Sequence, residues 1–316
     1  MFKPLLAGII VLIIIIGGIV YGTSHKKASQ TNIDVSSSKV YCSADGAVSA
    51  TQTIQSHRSY CILPGPTGEV YASNTPKDFT FSIIDDQGNI LKHFQITHTK
   101  QLHLIVVRKD LAYFQHIHPE INHTTGLISM SGLMFPADGP YRIFADFAPA
   151  GAQMDSMGMP VTATPYEDVV VGSGQFTPAP LGAEVKTKTF TGYQFALATH
   201  GTPASGSESM LMFNITQNGK PVTDLEPYLG ALGHSVILRE GSLDFIHAHP
   251  VEEVTAKQNG TVSFMVDFPE AGKYKVFTQF QRGGKVITTD FVLTVAAGSS
   301  TPSSMESMPG MNMPGM

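Results

Sequence analysis

Two stretches of this chain carry the same three histidines at the same spacing. LHLIVVRKDLAYFQHIHPE holds His103, His116 and His118, and GHSVILREGSLDFIHAHPVE holds His234, His247 and His249. Both follow H-x12-H-x-H-P. Neutral imidazole is a common ligand for copper, zinc and nickel, and three on one surface leave coordination positions for water, a fourth protein ligand or a delivered partner. A single histidine on a core face is usually a hydrogen-bonded structural residue. Three together, twice, would require an unusual number of buried polar partners, which favours a metal over a structural cluster. Glu120, Glu252 and Glu253 follow the motifs and read as ordinary loop charges. Met130, Met134 and Met265 fall near the returning strand and read as packing residues rather than axial ligands. His93, His98, His123 and His200 lack counterparts between the copies and read as solvent-facing.

Methionine discriminates among the metals. MDSMGMP groups Met154, Met157 and Met159, and MESMPGMNMPGM groups Met305, Met308, Met311, Met313 and Met316. Eight of the fourteen methionines thus lie in two Gly/Pro-rich segments unable to bury them on a helix face. Thioethers are soft ligands for Cu(I) or Ag(I) and poor ones for zinc. Exposed methionine is also an oxidation liability, so its concentration there favours a ligand role over low complexity. Copper is the expected ion, with zinc as the alternative.

These side chains need strands to hold them. A two-residue turn at Glu240-Gly241 pairs Arg239 with Ser242, Val236 with Phe245, and His234 with His247. His249 then lies one diagonal step along the same face. That face reads His234, Val236, Leu238, Leu243, Phe245, His247 and His249, with Ser235, Ile237, Arg239, Ser242, Asp244 and Ile246 on the other. A turn at Lys109-Asp110 likewise sets His103 opposite His116, with His118 on the same face. Pro119 and Pro250 interrupt the two strands at the same place. Each triad is thereby expected at one end of a sandwich, as a property of its own domain.

The duplication extends beyond the histidines. FPADGPYRIFADF from Phe135 matches FPEAGKYKVFTQF from Phe268, and Phe81-Ser82-Ile83 matches Phe213-Asn214-Ile215, at an offset of about 130 residues. That period suits one β-domain per repeat. Strands are expected over 79–84, 102–108, 111–117, 126–134 and 140–147, then 193–199, 210–216, 234–239, 242–248, 260–267, 273–280 and 286–295. No segment beyond the N-terminal apolar run shows sustained helical periodicity. The expected fold is all-β: two tandem immunoglobulin-like (cupredoxin-like) antiparallel β-sandwich domains after an N-terminal transmembrane helix. Repeat 1 covers 63–172, a Gly/Pro linker 173–182, repeat 2 183–296, and a disordered Met-rich tail 297–316.

Residues Leu5 to Tyr21 form an uncharged apolar run of about the minimum length for a bilayer. A cleaved signal peptide would also fit, with small residues near Val20-Tyr21-Gly22, but the long isoleucine-rich core favours an uncleaved anchor over 1–22. Lys3, Lys26 and Lys27 flank the run without deciding its orientation. A polar, serine-rich tether opens the segment 23–62, which ends on the only two cysteines, Cys42 and Cys61. In an exported chain such a pair is most simply a disulfide, and no histidine motif adjoins it. The expected location is therefore extracytoplasmic, periplasmic or on the cell surface, membrane-anchored by the N-terminal helix. A net charge of −5 with no basic stripe excludes nucleic acid as a partner.

GKPVTDLEPYLGALGHSVILREGSLDFIHAHP resembles sequences of exported bacterial β-sandwich proteins near the YtkA/FixH-like and copper-resistance families. The resemblance covers mainly residues 183–296 and implies an immunoglobulin-like fold and an association with copper. It supplies no ligand set. The cysteine ligand of blue-copper proteins has no counterpart beside these histidines. No acid, base or nucleophile constellation supports an enzyme. The expected function is a membrane-tethered copper-binding protein for sequestration or transfer, working with a copper transporter or chaperone. The alternative is an immunoglobulin-like structural or adhesion module of the envelope without a metal.

Overall fold

The computed structural model describes residues 41–42, 48–49, 60–65, 71–154, 158–173, 176–252 and 254–298. The apolar run Leu5 to Tyr21, most of the tether, Met157 and the five methionines of the tail lie outside them. No described helix is long and apolar enough to cross a membrane. Cys61 is disulfide-bonded, and the chain's other cysteine is Cys42.

Seven principal strands build the first half: β1 (Tyr60–Pro64), β2 (Lys77–Asp85), β3 (His103–Arg108), β4 (Phe114–Ile117), β5 (Ile128–Leu133), β6 (Gly139–Asp146) and β7 (Tyr166–Val171). Two antiparallel sheets result. One runs β1-β2-β5 with Glu120–Ile121 at its edge, the other β7-β6-β3-β4. Between them lies one apolar core, built from Ile62, Phe79, Phe81, Leu104, Val106, Tyr141, Ile143 and others.

The second half repeats the plan with β8 (Tyr193–Thr199), β9 (Glu208–Gln217), β10 (His234–Arg239), β11 (Phe245–Ala248), β12 (Thr261–Asp267), β13 (Gly272–Arg282) and β14 (Lys285–Val295). Thr187–Phe190, β8, β9, β12 and Pro250–Glu252 form one sheet, and β11-β10-β13-β14 the other. Phe195, Phe213, Ile237, Phe264, Tyr274 and Phe291 fill the core between them. A six-residue helix, Val254–Asn259, interrupts the strands of the described residues, a departure from the expectation of no helix here. It is too short to leave a periodic signature in the sequence.

β3 and β10 are buried on both faces, since five of the six residues of each are buried. Side chains alternate across a strand. Leu104 and Val106 point into the first core, as Ile237 does into the second. Ile105, Val107, Val236 and Leu238 point the other way and meet in a third apolar cluster, with Leu111, Leu243, Phe144 and Phe277. This cluster is a seam between the halves. It is built reciprocally: Phe114 stacks on Phe277 with centroids 4.5 Å apart, and the equivalent residues Phe245 and Phe144 meet at 5.0 Å. The apolar face that carries the histidines therefore faces the other repeat, not the opposing sheet of its own sandwich.

The hairpin register also differs from the two-residue turns. Ile105 pairs with His116 and Val236 with His247, two positions away from the expected pairing. Four-residue loops cause the shift. Leu111 and Leu243 adopt φ near +60° in them and fold their buried side chains back into the seam. Burial of a leucine side chain, worth roughly 1.5–3 kcal/mol, offsets the left-handed backbone. β4 and β11 consequently begin three residues later than the expected 111 and 242. A shift of two leaves every side chain on its original face, so the histidines remain together.

Candidate metal centre

Each expected triad forms. In His103, His116 and His118, and again in His234, His247 and His249, one ring nitrogen per residue lies within 4.8 Å of the other two. His103 and His234 are each about 1% exposed, each on the seam-facing side of a central strand. The strand hydrogen bonds place His103 beside Asp146 and His234 beside Gln279.

The outer nitrogens determine the tautomers. His103 Nε2 donates to the Thr97 carbonyl (3.1 Å) and His116 Nδ1 to Gln279 Oε1 (2.8 Å). His234 Nε2 donates to the Leu229 carbonyl (3.3 Å) and His247 Nδ1 to Asp146 Oδ2 (2.6 Å). Carbonyl and carboxylate oxygens only accept, so each of these neutral rings presents a lone pair inward. His103 Nδ1 lies 3.0 Å from His116 Nε2 and 3.2 Å from His118 Nε2. Ligands bonded at 2.0–2.1 Å to a tetrahedral ion stand on the order of 3.3 Å apart, close to these separations. In the second triad His234 Nδ1, His247 Nε2 and His249 Nε2 are buried without a hydrogen-bond partner. A buried polar atom left unpaired costs about 1–3 kcal/mol. Convergence of three such atoms is the donor set a cation satisfies.

A proton is a poor substitute for that cation. Burial lowers the basicity of His116 and His247 well below the ordinary imidazole value, with neighbouring rings adding to the effect. His118 falls to about 3 and His234 to about 4, again chiefly by burial. His103 and His249 move in the same direction. Burial pushes the Asp146 carboxyl up, against the pull of His103.

A seventh imidazole joins the cluster. His98, expected to face solvent, stacks on His249 with centroids 3.5 Å apart and stands 5.5 Å from His234, 5.8 Å from His247 and 6.1 Å from His103. Burial lowers its basicity to about 4. It occupies a tight turn closed by hydrogen bonds between Thr97 and Lys100 in both directions. His98 and Thr99 both have positive φ there, 51° and 67°. The equivalent turn, Tyr228 to Ala231, uses Leu229 and Gly230, the glycine expected of this turn type. Thr99→Gly is therefore expected to stabilise the chain by about 1 kcal/mol through relief of left-handed strain at a β-branched residue. Thermal unfolding would register this as a higher midpoint. A lower midpoint would show that the turn is not strained at Thr99.

His93, His123 and His200 are exposed as expected. Met154 and Met159 are also exposed, at 60% and 39%. Met130 packs against the first core, whereas Met134 and Met265 are exposed and so are not the core residues they were read to be. Glu120 is exposed outside both triads. Asp146, Gln279 and His98 were missed. All three were marked by the repeat alignment, as a polar residue within an apolar strand (FADF, FTQF) and a His-Thr turn aligned with Leu-Gly.

A family described as "Domain of unknown function (DUF8832)" matches residues 66–163 and 187–297, one segment on each repeat. The YtkA/FixH-like and copper-resistance resemblance rests on the sequence reading alone. No curated protein matches. Among solved structures, trypsin-activated alpha-2-macroglobulin from Escherichia coli is 11% identical, over 75% of this chain and 16% of that one, with a TM-score of 0.23. A marsupial T cell receptor is 9% identical over 75% and 73%, with a TM-score of 0.23, and bovine butyrophilin 10% identical over 76% and 100%, at 0.21. This chain spans about a sixth of the length of the macroglobulin.

Proposed function

The chain belongs to the family described as a domain of unknown function (DUF8832), and from its own residues we propose that it is a membrane-tethered, extracytoplasmic copper-binding protein that sequesters copper or passes it on. The reading takes each half as an immunoglobulin-like or cupredoxin-like sandwich and the N-terminal apolar run as the anchor. The observation that carries it is the set of three buried, unpartnered nitrogens of His234, His247 and His249. Lone-pair geometry at His103, His116 and His118 supports a second ion. Imidazole suits copper and zinc alike, and the methionine segments favour copper because thioethers hold Cu(I). Met154 and Met159 are exposed, as ligands for capture must be. A copper transporter or chaperone would be the exchange partner.

Titration of the full-length chain with Cu(II) tests this reading. Two ions per chain are expected, falling to one in His103→Ala and to one in His234→Ala. Unchanged stoichiometry and affinity in both variants would rule out the paired sites, and a protein purified and titrated without stoichiometric copper would support an adhesion module instead.

A further inference from the structure

Matching features of the two repeats lie reciprocally across the seam, so departures from that match isolate what distinguishes the triads. The histidines and the stacked phenylalanines have counterparts, whereas the carbonyl that holds the first histidine belongs to Thr97 in one turn and to Leu229, the equivalent of His98, in the other. Three side-chain differences bear on the charge and cover of the triads. Gln279 holds His116, whereas Asp146 holds His247. His98 corresponds to Leu229, and Lys100 to Ala231.

We infer that the two triads are unequal sites filled in order, the His234–His247–His249 triad taking a divalent cation first and the His103–His116–His118 triad taking the second more weakly. This rests on the metal-binding reading above. The Asp146 carboxyl is about 3% exposed and accepts from His247 Nδ1, so it sets an acidic acceptor behind that ligand and raises its donor strength when an ion binds opposite. Gln279 offers His116 only an amide oxygen, its nitrogen being turned to Thr288. Lys100 closes the turn whose Thr97 carbonyl holds His103, which puts a cation beside the first triad. Its counterpart beside the second triad is the uncharged Ala231. His98 covers His249, and Leu229 supplies no ring in return. Both charge differences, Asp146 against Gln279 and Lys100 against Ala231, favour the second triad.

Each triad is also completed by the opposite half: Asp146 precedes the seam and orients the second triad, while Gln279 follows it and orients the first. Exchanging the acid and the amide should therefore exchange the order of filling.

Calorimetric titration of the full-length chain with Cu(II) tests the inference. The wild type should show two steps at least about tenfold apart, with His103→Ala retaining the tighter one. Asp146→Asn should weaken that tighter step by about 10–100-fold, the usual consequence of losing a partner behind a ligand. Gln279→Glu should strengthen the weaker step by a similar factor, a gain that misfolding does not imitate. Two equal steps in the wild type, or Gln279→Glu leaving the weaker step unchanged, would overturn the inference while leaving the metal reading intact. Absence of any Cu(II) binding by the wild type would remove both.

Discussion

His247→Ala is expected to remove the second metal site and to destabilise the metal-free chain by about 3–5 kcal/mol. The side chains of His247 and Asp146 are only 9% and 4% exposed and meet at 2.6 Å across the seam. Truncating the imidazole leaves the Asp146 carboxyl buried at the seam without its 2.6 Å partner, with a 3.3 Å contact from Thr164 among those remaining. His249→Ala is the control. That ring stacks on His98 rather than pairing with an acid, so its loss should abolish the second site with a much smaller effect on folding. Denaturant unfolding without metal, alongside Cu(II) titration, separates the two effects. Equal stability of the two variants would mean that the Asp146–His247 contact contributes nothing to the seam.

Acidification gives the second large effect. An imidazole in the unfolded chain protonates near 6.5, whereas His98 and His234 resist protonation until about 4 and His118 until about 3. Through that interval the unfolded state binds more protons, so stability falls as pH falls. The stabilisation is complete above about 6.5, declines as the pH falls through about 4 to about 3, and levels off only once the folded rings also protonate. Asp146, pushed up by burial, acts in the opposite direction, as one carboxyl against seven depressed imidazoles. Thermal midpoints of the metal-free chain should therefore drop between pH 6.5 and 4, and bound metal should be released over the same range as protons compete for the ligands. A midpoint constant across this range would contradict the burial of the cluster.

Much of the fold was legible. Strand alternation identified the faces of β3 and β10, and turn residues bounded most strands within two or three positions. Even where Leu111 and Leu243 lengthened the hairpin loops, the period of two protected the histidine assignment. His98 was not legible by the same logic, because its place depends on a strained turn brought against the facing repeat. Asp146 and Gln279 looked like interruptions of apolar strands until the opposite half supplied His247 and His116 as their partners.

The sequence alone determined that three imidazoles share a face in each repeat, since covalent spacing and alternation along a strand require it. Tertiary structure decided where that face points. β3 and β10 are buried on both sides, so burial alone does not say which side faces the core of its own sandwich. Only packing the two sandwiches together, with Phe114 on Phe277 and Phe144 on Phe245, brings the two triads side by side, the His103 and His247 rings 5.6 Å apart. The same packing gives each triad an orienting partner from the other half. That partner is a carboxylate on one side of the seam and an amide on the other.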